Sequence, residues 1–453
     1  MNQGNSSKQN ATLLYQRIHQ LLEGGEVRKA QSILQALFPV DRAAILSDLP
    51  IDERQGLLQG LPAEEIADIL EKMEDEEVAA IAATLPQEDL ADILDKMEPD
   101  EAADLLGDLT SERVLDLLAL MADKEEIHPL LLHPDETAGG LMTSEYLALG
   151  RNMWAEKALA AIREWGPEED YYYYFVVDTV GRLLGVVNLL QLIKADPQVE
   201  VESIMDRRPL SAPVEADQEE CARLMSRYDL MALPVIDEQQ LLMGVITIDD
   251  VVDVLEEEAT EDIQRLGGAA PLAKPYLLTS PWEIVKSRVG WLLLLFVTGL
   301  ITTNVLEHFE YTLQKVVALS FFIPLLIGTG GNAGSQTTAT VTRALAVGEV
   351  EKQDVFKVLW HEVRVGLLMG VLVAVAGFLR AWLVGGDVQL GLTIGVAVGA
   401  IVFWSTSVGS LLPICASLVG ADPALVSGPL MSTLVDATGL FIYLTVAKMI
   451  LGV

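Results

Sequence analysis

The sequence predicts a multidomain protein: an N-terminal all-α superhelical repeat domain, a tandem of α/β units, and a polytopic α-helical membrane domain. Three observations predict this order. They are a 12-residue repeat, two copies of a strand–turn–strand–helix pattern, and five long apolar segments near the C-terminus. The charge is divided in the same way. The 453 residues carry a formal net charge of −36, but the part from Trp282 onward has ten acids and nine bases.

Nearly all of the negative charge therefore precedes Trp282, where 56 acids face 21 bases. Such an excess repels nucleic acid, so we expect no nucleic-acid partner, and it attracts cations. It also destabilises a compact domain by self-repulsion, which bound cations would relieve.

An apolar residue recurs every 12 positions in the predicted repeat domain, residues 1–135. These residues are Leu37, Leu49, Leu61, Met73, Leu85, Met97, Leu109 and Met121. Each unit continues with proline or acids and then apolar residues at helical spacing, as in LPAEEIADIL and LPQEDLADIL. Proline and acids suit the first turn of a helix. One unit is too short to bury its own apolar face, so we expect the units to stack.

The next two segments share one design: a helix, a β-rich run, a turn, a second β-rich run and another helix. FVVD and LLGVVN are the β-rich runs of the first segment, and LPVID and LMGVIT are those of the second. They predict α/β units at 136–200 and 201–258. The doubled pattern resembles a pair of cystathionine-β-synthase (CBS) domains, which are regulatory modules. Such pairs often bind adenine nucleotides, but the sequence shows no glycine loop that would cradle a phosphate, so an adenine nucleotide is the less favoured expectation for this pair.

Acids crowd the helix that follows the second unit, between Asp249 and Asp262. Several lie three or four residues apart and therefore on one face, where like charges repel. Divalent cations held by these carboxylates would relieve the repulsion. A solvated linker helix is the alternative.

Five apolar segments, near 288–306, 315–345, 356–384, 390–419 and 424–450, are long enough to cross a bilayer core of about 30 Å. Six bases lie on the side of the N-terminal region, namely Lys286, Arg288, Arg343, Lys352, Lys357 and Arg364. Three lie on the other side, namely Lys315, Arg380 and Lys448. The asymmetry predicts a multi-pass protein of the cell membrane with a cytoplasmic N-terminal region and an external C-terminus.

Asp436 is the most informative membrane residue, because its segment, GPLMSTLVDATGLFIYLTVAKMIL, has no other charge before Lys448. An intramembrane acid is costly and usually faces a water-filled path or a cation. A second segment, PLLIGTGGNAGSQTTATVTRALA, is rich in small and neutral polar residues. Its glycines at 328, 330, 331 and 334 let helices approach closely and can free backbone carbonyls to face a cavity. Its neutral oxygen ligands are Asn332, Gln336, Thr337 and Thr338. Oxygen ligands with one carboxylate suit hydrated Mg2+ rather than Zn2+ or Cu+.

The order of these parts resembles the MgtE family of magnesium channels and transporters. The two membrane segments quoted above resemble that family's diagnostic motifs. The resemblance implies Mg2+ uptake by a homodimer in the lipid bilayer, with one pore on the two-fold axis lined by the second and fifth membrane helices. It makes Asp436 the acid of the pore site, with Asn332, Gln336 and Thr337 facing the pore.

The resemblance also implies a connecting (plug) helix region at 259–285, a pore domain at 286–453, and closure of the pore by intracellular Mg2+. The candidate Mg2+-sensing acids are Asp95, Asp217, Glu219, Asp229, Asp250, Asp253, Glu258, Glu261 and Asp262.

Two rival functions are weighed against this one. A coupled transporter of another divalent cation (Mn2+ or Co2+) or of a small anion is compatible with CBS regulation, but an anion would need a basic residue, and the apolar segments have no central Arg or Lys. A membrane enzyme such as an intramembrane protease is disfavoured, since the sequence has no HExxH motif or second mid-membrane Asp. Asp422 precedes Pro423 at a predicted helix boundary and is expected at the interface.

Overall fold

The computed structural model describes residues 3–122, 124–165, 172–272, 276 and 279–452. The chain forms two compact units, Met1–Leu255 and Glu256–Val453. Residues 166–171 of the first predicted CBS unit, and 273–275 and 277–278 of the predicted connecting region, lie outside the described residues.

A series of helices, most of them short and set 12 residues apart, opens the first unit, which confirms the repeat. They are α1 (Gln3–Glu23), α2 (Val27–Leu34), α3 (Pro39–Asp48), α4 (Ile51–Leu58), α5 (Ala63–Leu70), α6 (Asp75–Ala82), α7 (Gln87–Leu94), α8 (Pro99–Gly107), α9 (Ser111–Leu120) and α10 (Lys124–Ile127). A short 3-10 turn, Leu130–Leu132, follows. From α3 to α9 every helix begins 12 residues after the one before it.

Helices two positions apart pack on one another, so that α3 lies on α5, α5 on α7, and α7 on α9. The stacking period is therefore 24 residues, and two alternating stacks share one core. At the last turns, one apolar residue in every unit is at most 2% exposed; these residues are Leu34, Leu46, Leu58, Leu70, Ala82, Leu94 and Leu106. Glu98 N donates to Glu71 Oε1 at 2.8 Å, and 24 residues later Ala122 N donates to Asp95 Oδ2 at 2.9 Å.

Two three-stranded sheets of identical topology follow, as the doubled pattern predicts. Their strands are β1 (Ala148–Gly150), β2 (Tyr173–Val177), β3 (Leu183–Asn188), β4 (Ala212–Pro213), β5 (Ala232–Ile236) and β6 (Leu242–Thr247). Their helices are α11 (Ala138–Leu141), α12 (Ala155–Trp165), α13 (Leu189–Lys194), α14 (Val201–Ile204) and α15 (Gln218–Tyr228). In both sheets the middle strand pairs parallel with the first and antiparallel with the third. The register of both hairpins shifts at the same place, after Val176 and after Val235.

The acidic segment forms one helix, α16 (Ile248–Leu266), in which the first unit ends and the second begins. The second unit continues with α17 (Pro281–His308), α18 (Glu310–Lys315), α19 (Ile323–Ala346), α20 (Val355–Gly385), α21 (Val388–Leu418) and α22 (Gly428–Leu451), and its 3-10 turns are Val317–Phe322, Lys352–Asp354 and Pro423–Leu425. Five helical segments are long and apolar enough to cross a membrane. The first begins at Pro281 rather than near 288, because Ser280 and Glu283 form a capping box that starts the helix before the apolar run.

Helix α21 lies inside the second unit and packs against α19, α20 and α22. Glycine permits the closest of these contacts: a methyl group added to Gly370 on α20 would lie 2.8 Å from the carbonyl oxygen of Gly399 on α21. Tyr443 on α22, fully buried, donates its hydroxyl to the Leu319 carbonyl at 2.8 Å. Helix α17 has no buried residue, so the other helices form the core of this unit.

Shortening Leu94, which is fully buried in the repeat core, should lower the free energy of unfolding. For Leu94→Ala we expect a loss of about 2–5 kcal/mol from lost burial and the remaining cavity. Leu115→Ala is the matched control, since Leu115 is 70% exposed, and should change stability by less than about 0.5 kcal/mol. Urea unfolding of fragment 1–255, followed by circular dichroism, measures both; equal losses would contradict the stacked core.

Candidate ion pathway and acidic cluster

Small residues of α19 bring it against α21 and α22. A methyl group added to Gly330 would lie 2.4 Å from Ile401 Cγ2, and one added to Gly334 would lie 2.6 Å from Met431 Cε. Side chains larger than hydrogen therefore cannot occupy these positions without moving the helices apart. The prediction of close contact is confirmed for both glycines.

The contacts also give the register of α19 and α22. Ser335 Oγ donates to the Gly428 carbonyl at 3.1 Å, and a methyl group on Gly331 would lie 3.2 Å from Ser432 Oγ. Because rising numbers on one helix meet falling numbers on the other, the two helices run antiparallel. Asp436, one turn beyond Ser432, therefore lies toward the Gly328 end of α19.

Gly328 differs from Gly330 and Gly334. A methyl group added there would meet no described residue within 4 Å, so within this chain Gly328 makes no close helix contact and borders open space, the other role predicted for these glycines. Gly328 lies one turn before Gly331, where the packed surface ends. The result is open space at about the level of Asp436, which is itself half-buried.

Of the neutral oxygen ligands predicted on α19, two are exposed and two are buried. Asn332 and Gln336 are exposed and lie one turn apart on one face. Thr337 and Thr338 are buried, and Thr338 donates to the Gly409 carbonyl at 3.1 Å. Within this chain, two amides and the Asp436 carboxylate are accessible, whereas the threonines contribute to helix packing.

A cluster of carboxylates centres on Asp100 in the first turn of α8. Asp100 is 6% exposed, and among the described residues its Oδ1 has no hydrogen-bond partner. Burial and the negative charge of Asp250, in the first turn of α16, raise the pKa of Asp100 well above its ordinary value. A buried carboxylate facing another acid is stable only if it is protonated or if a cation lies between the two.

Two further acids of α8 belong to the cluster. Burial and the neighbouring charge of Asp104 raise the pKa of Glu101 to about 8. Burial and the charge of Asp135 raise the pKa of Asp104 to about 7. The repulsion expected from the composition is thus concentrated along one helix.

The sequence prediction placed the sensing acid of the repeat domain at Asp95, and it missed Asp100. Asp95 accepts the Ala122 backbone N–H and so joins two units. Asp100 occupies the repeat position of Glu64 and Glu88, which are exposed, and this equivalence concealed it. One signal could have found it: the unit of Asp100 carries alanine at 102 where the others carry Ile66 and Leu90, and such a small residue permits close approach.

Several other predicted acids have local structural roles. Asp217 caps α15 by accepting the Glu219 backbone N–H at 2.9 Å, and Asp229 ends that helix in a left-handed conformation (φ 52°). Asp250 accepts the Thr247 hydroxyl at 2.6 Å. Asp253 is exposed. Within residues 3–122, 124–165, 172–272 and 279–452, no group of three or more His, Cys, Asp or Glu is arranged to hold one metal ion, so the metal-site assignments remain predictions.

The end of α16 carries the remaining candidates. Glu258 and Glu261 are half-buried, and Glu261 forms an ion pair with Arg265. Arg265 also pairs with Asp422, in the connection between α21 and α22. Burial and the charge of Asp422 raise the pKa of Asp262.

These features define a class: a multi-pass α-helical membrane protein that carries a helical repeat domain and CBS-type units. Family models assign its parts. The model described as "MgtE intracellular N domain" matches residues 37–136, the CBS domain model matches 201–257, and the MgtE model described as "Divalent cation transporter" matches 323–446.

Relatives with known names and a solved structure support the same family. The magnesium transporter MgtE of Thermus thermophilus is 43% identical over 329 residues, which cover 72% of this chain and 73% of the relative. That of Bacillus subtilis is 32% identical over 327 residues, or 72% of each chain. A crystal structure of the cytosolic domain of the Mg2+ channel MgtE in complex with ATP covers 52% of this chain and 98% of its own, at 36% identity and a TM-score of 0.50. The chain belongs to the MgtE family.

The acidic cluster should make the first unit less stable as the pH rises in the absence of divalent cations. Glu101 and Asp104 bind protons more tightly when folded, so stability is highest below their ordinary pKa values and falls as the pH rises toward about 8. Urea midpoints of fragment 1–255 at pH 5 and pH 8, in chelator, measure this fall. The double variant Glu101→Gln/Asp104→Asn should reduce it, whereas Glu88→Gln/Asp92→Asn, which neutralises two exposed acids, should not; an equal reduction by both would contradict the role of burial.

Proposed function

We propose that this chain carries Mg2+ across the cell membrane along a path beside Asp436. One observation supports this above all: the acid lies half-buried on α22 at the level of Gly328 on α19, and Gly328 is exposed on the same face of α19 as Asn332. The names of the relatives, magnesium transporters, support the same ion. Transport, rather than an enzymatic reaction, is the activity that this arrangement supports.

The chemistry of the path favours a hydrated hard cation. Mg2+ keeps most of its waters and binds one or two carboxylates, and amide oxygens such as those of Asn332 and Gln336 accept hydrogen bonds from its water shell. A carboxylate in the middle of a membrane helix costs about 2.5–3.5 kcal/mol, which a bound cation offsets. Other divalent cations such as Mn2+ and Co2+ are the alternative substrates, and competition with Mg2+ flux distinguishes them.

A second copy of the chain completes the path. Asn332 and Gln336 are exposed on a membrane-spanning helix, and amides facing lipid would be unsatisfied. In a homodimer these residues would meet their counterparts across a two-fold axis and line a water-filled pore. Thr337, buried within the chain, would support the wall of the pore.

The orientation follows from the same arguments. The ion pair between Arg265 and Asp422 brings the end of α16 to the connection between α21 and α22. With five spans, that connection lies on the same side as the N-terminal region, the side with six of nine bases. The N-terminal region would then be cytoplasmic and the C-terminus external.

Intracellular Mg2+ would close the path by binding the acids of the first unit and of α16. The buried Asp100, next to Asp250, is the strongest candidate for such a site. A divalent cation would offset the repulsion between the two acids and coordinate Asp100 Oδ1, which accepts no hydrogen bond from the described residues. The remaining predicted acids would add weaker sites. The solved relative is a complex with ATP, which supports an adenine nucleotide as a further ligand of the CBS pair.

Removing the charge of Asp436 should abolish Mg2+ flux. Asp436→Ala and Asp436→Asn should both reduce voltage-driven uptake into proteoliposomes by at least about a hundredfold, because the charge rather than the shape holds the ion. Asn332→Ala, which removes a neutral ligand, should reduce uptake less. All variants should elute from size-exclusion chromatography as the wild type does. Flux at the wild-type level in Asp436→Asn would contradict the pore assignment.

Neutralising the proposed sensor should weaken closure without weakening transport. We expect Asp100→Asn/Asp250→Asn to raise the Mg2+ concentration that protects residues 1–255 from protease, and the concentration that closes the path, by roughly tenfold or more. The control Glu88→Gln/Asp92→Asn should shift neither. If the sensor variant closes at the wild-type concentration, the regulatory site lies elsewhere.

A further inference from the structure

The end of α16 is fastened to the start of the pore helix α22 at two places. The first is the ion pair between Arg265 and Asp422. Arg265 is the only base in α16, which carries eight acids, so this is the one position where the helix can bind a carboxylate directly. Both carboxylate oxygens of Asp422 have a partner: Oδ2 pairs with Arg265, and Oδ1 accepts the Ala424 backbone N–H at 2.7 Å.

Asp422 connects in turn to the pore helix. It caps the 3-10 turn Pro423–Leu425, which ends two residues before Ser427, the N-cap of α22. A shift of Asp422 would therefore move the first turn of the helix that carries Asp436, since helices transmit displacement along their axis.

The second place involves Trp291 on α17. Its indole N–H donates to Ser427 Oγ at 3.0 Å, and Ser427 is fully buried. Just beyond α16, Gly268 has a left-handed backbone (φ +75°), and a methyl group added there would lie 2.7 Å from Trp291 Cδ1 and 3.3 Å from Pro429 Cγ. The turn after α16, the indole and the N-cap of α22 are thus in direct contact.

We infer that Arg265 and Trp291 are positioning residues that couple α16 to α22. In this role, the Arg265–Asp422 pair and the Gly268–Trp291–Ser427 contact hold the start of the pore helix in the closed arrangement, and they release it when the cytoplasmic acids lose Mg2+. The inference rests on the proposed Mg2+ transport and extends it: the two contacts carry the signal from the sensing acids to Asp436, but neither residue binds the transported ion.

The test uses the full-length protein in everted membrane vesicles, with Mg2+ varied on the face of the N-terminal region. Arg265→Ala should raise the half-closing Mg2+ concentration roughly fivefold and leave the flux at micromolar Mg2+ unchanged. Trp291→Phe, which keeps an aromatic ring but removes the indole N–H, should shift it in the same direction by less. The matched controls are Arg288→Ala and Trp282→Phe, since both of those side chains are exposed at the start of α17; they should not shift it.

A double-mutant cycle separates this coupling from a cation site at Asp422. Asp422→Asn keeps an oxygen for the Ala424 N–H and removes the charge, so it should raise the half-closing concentration as Arg265→Ala does, and Arg265→Ala/Asp422→Asn should raise it no further than either single variant. If Arg265→Ala instead lowers the half-closing concentration, because it frees Asp422 to bind Mg2+, or if the two shifts multiply in the double variant, coupling through this pair is refuted. Wild-type closure in Arg265→Ala also refutes it. Absence of flux in the wild-type protein would instead refute the proposed transport.

Discussion

The close contact between α19 and its neighbours is the constraint on which the membrane unit depends. Gly330 and Gly334 leave no space for a side chain larger than hydrogen, because Ile401 and Met431 already fill it. With α19 held this close, one face is buried and the opposite face, with Asn332 and Gln336, is left accessible. Packing therefore decides which polar groups of a mixed sequence can meet an ion and which only join helices.

A second constraint acts on the first unit, where acids outnumber bases by far. Most acids are exposed, and water screens their repulsion. Asp100 is different, because the stacking of short helices buries it beside the start of α16, and no residue in the described part of the chain donates a hydrogen bond to its Oδ1. Such a group makes the fold sensitive to protons and cations. The acids at the same repeat position one and three units earlier, Glu88 and Glu64, are exposed and belong to the solvated surface.

The two constraints meet in α16, in which the first unit ends and the second begins. Its acids repel one another, and its last turn carries the one base, Arg265, which also interacts favourably with the negative end of the helix dipole. Asp422 accepts that base and caps the turn before α22. The helix is therefore destabilised along its length and attached at its end, which is the property that a coupling element requires.

The sequence by itself determined the order of the parts, the period of the repeat, the paired α/β units, the five membrane segments and the position of a lone acid, Asp436, within the last of them. These follow from local chemistry: apolar spacing, proline and acids at helix starts, and an unscreened charge in an apolar run. It could not determine which acid meets Asp250, because every repeat unit carries similar acids, and only stacking distinguishes Asp100 from Glu88. Likewise, Gly328 and Gly330 look equivalent in the sequence. Only the packing of α19 against α21 and α22 decides that side chains lie against Gly330 and open space against Gly328.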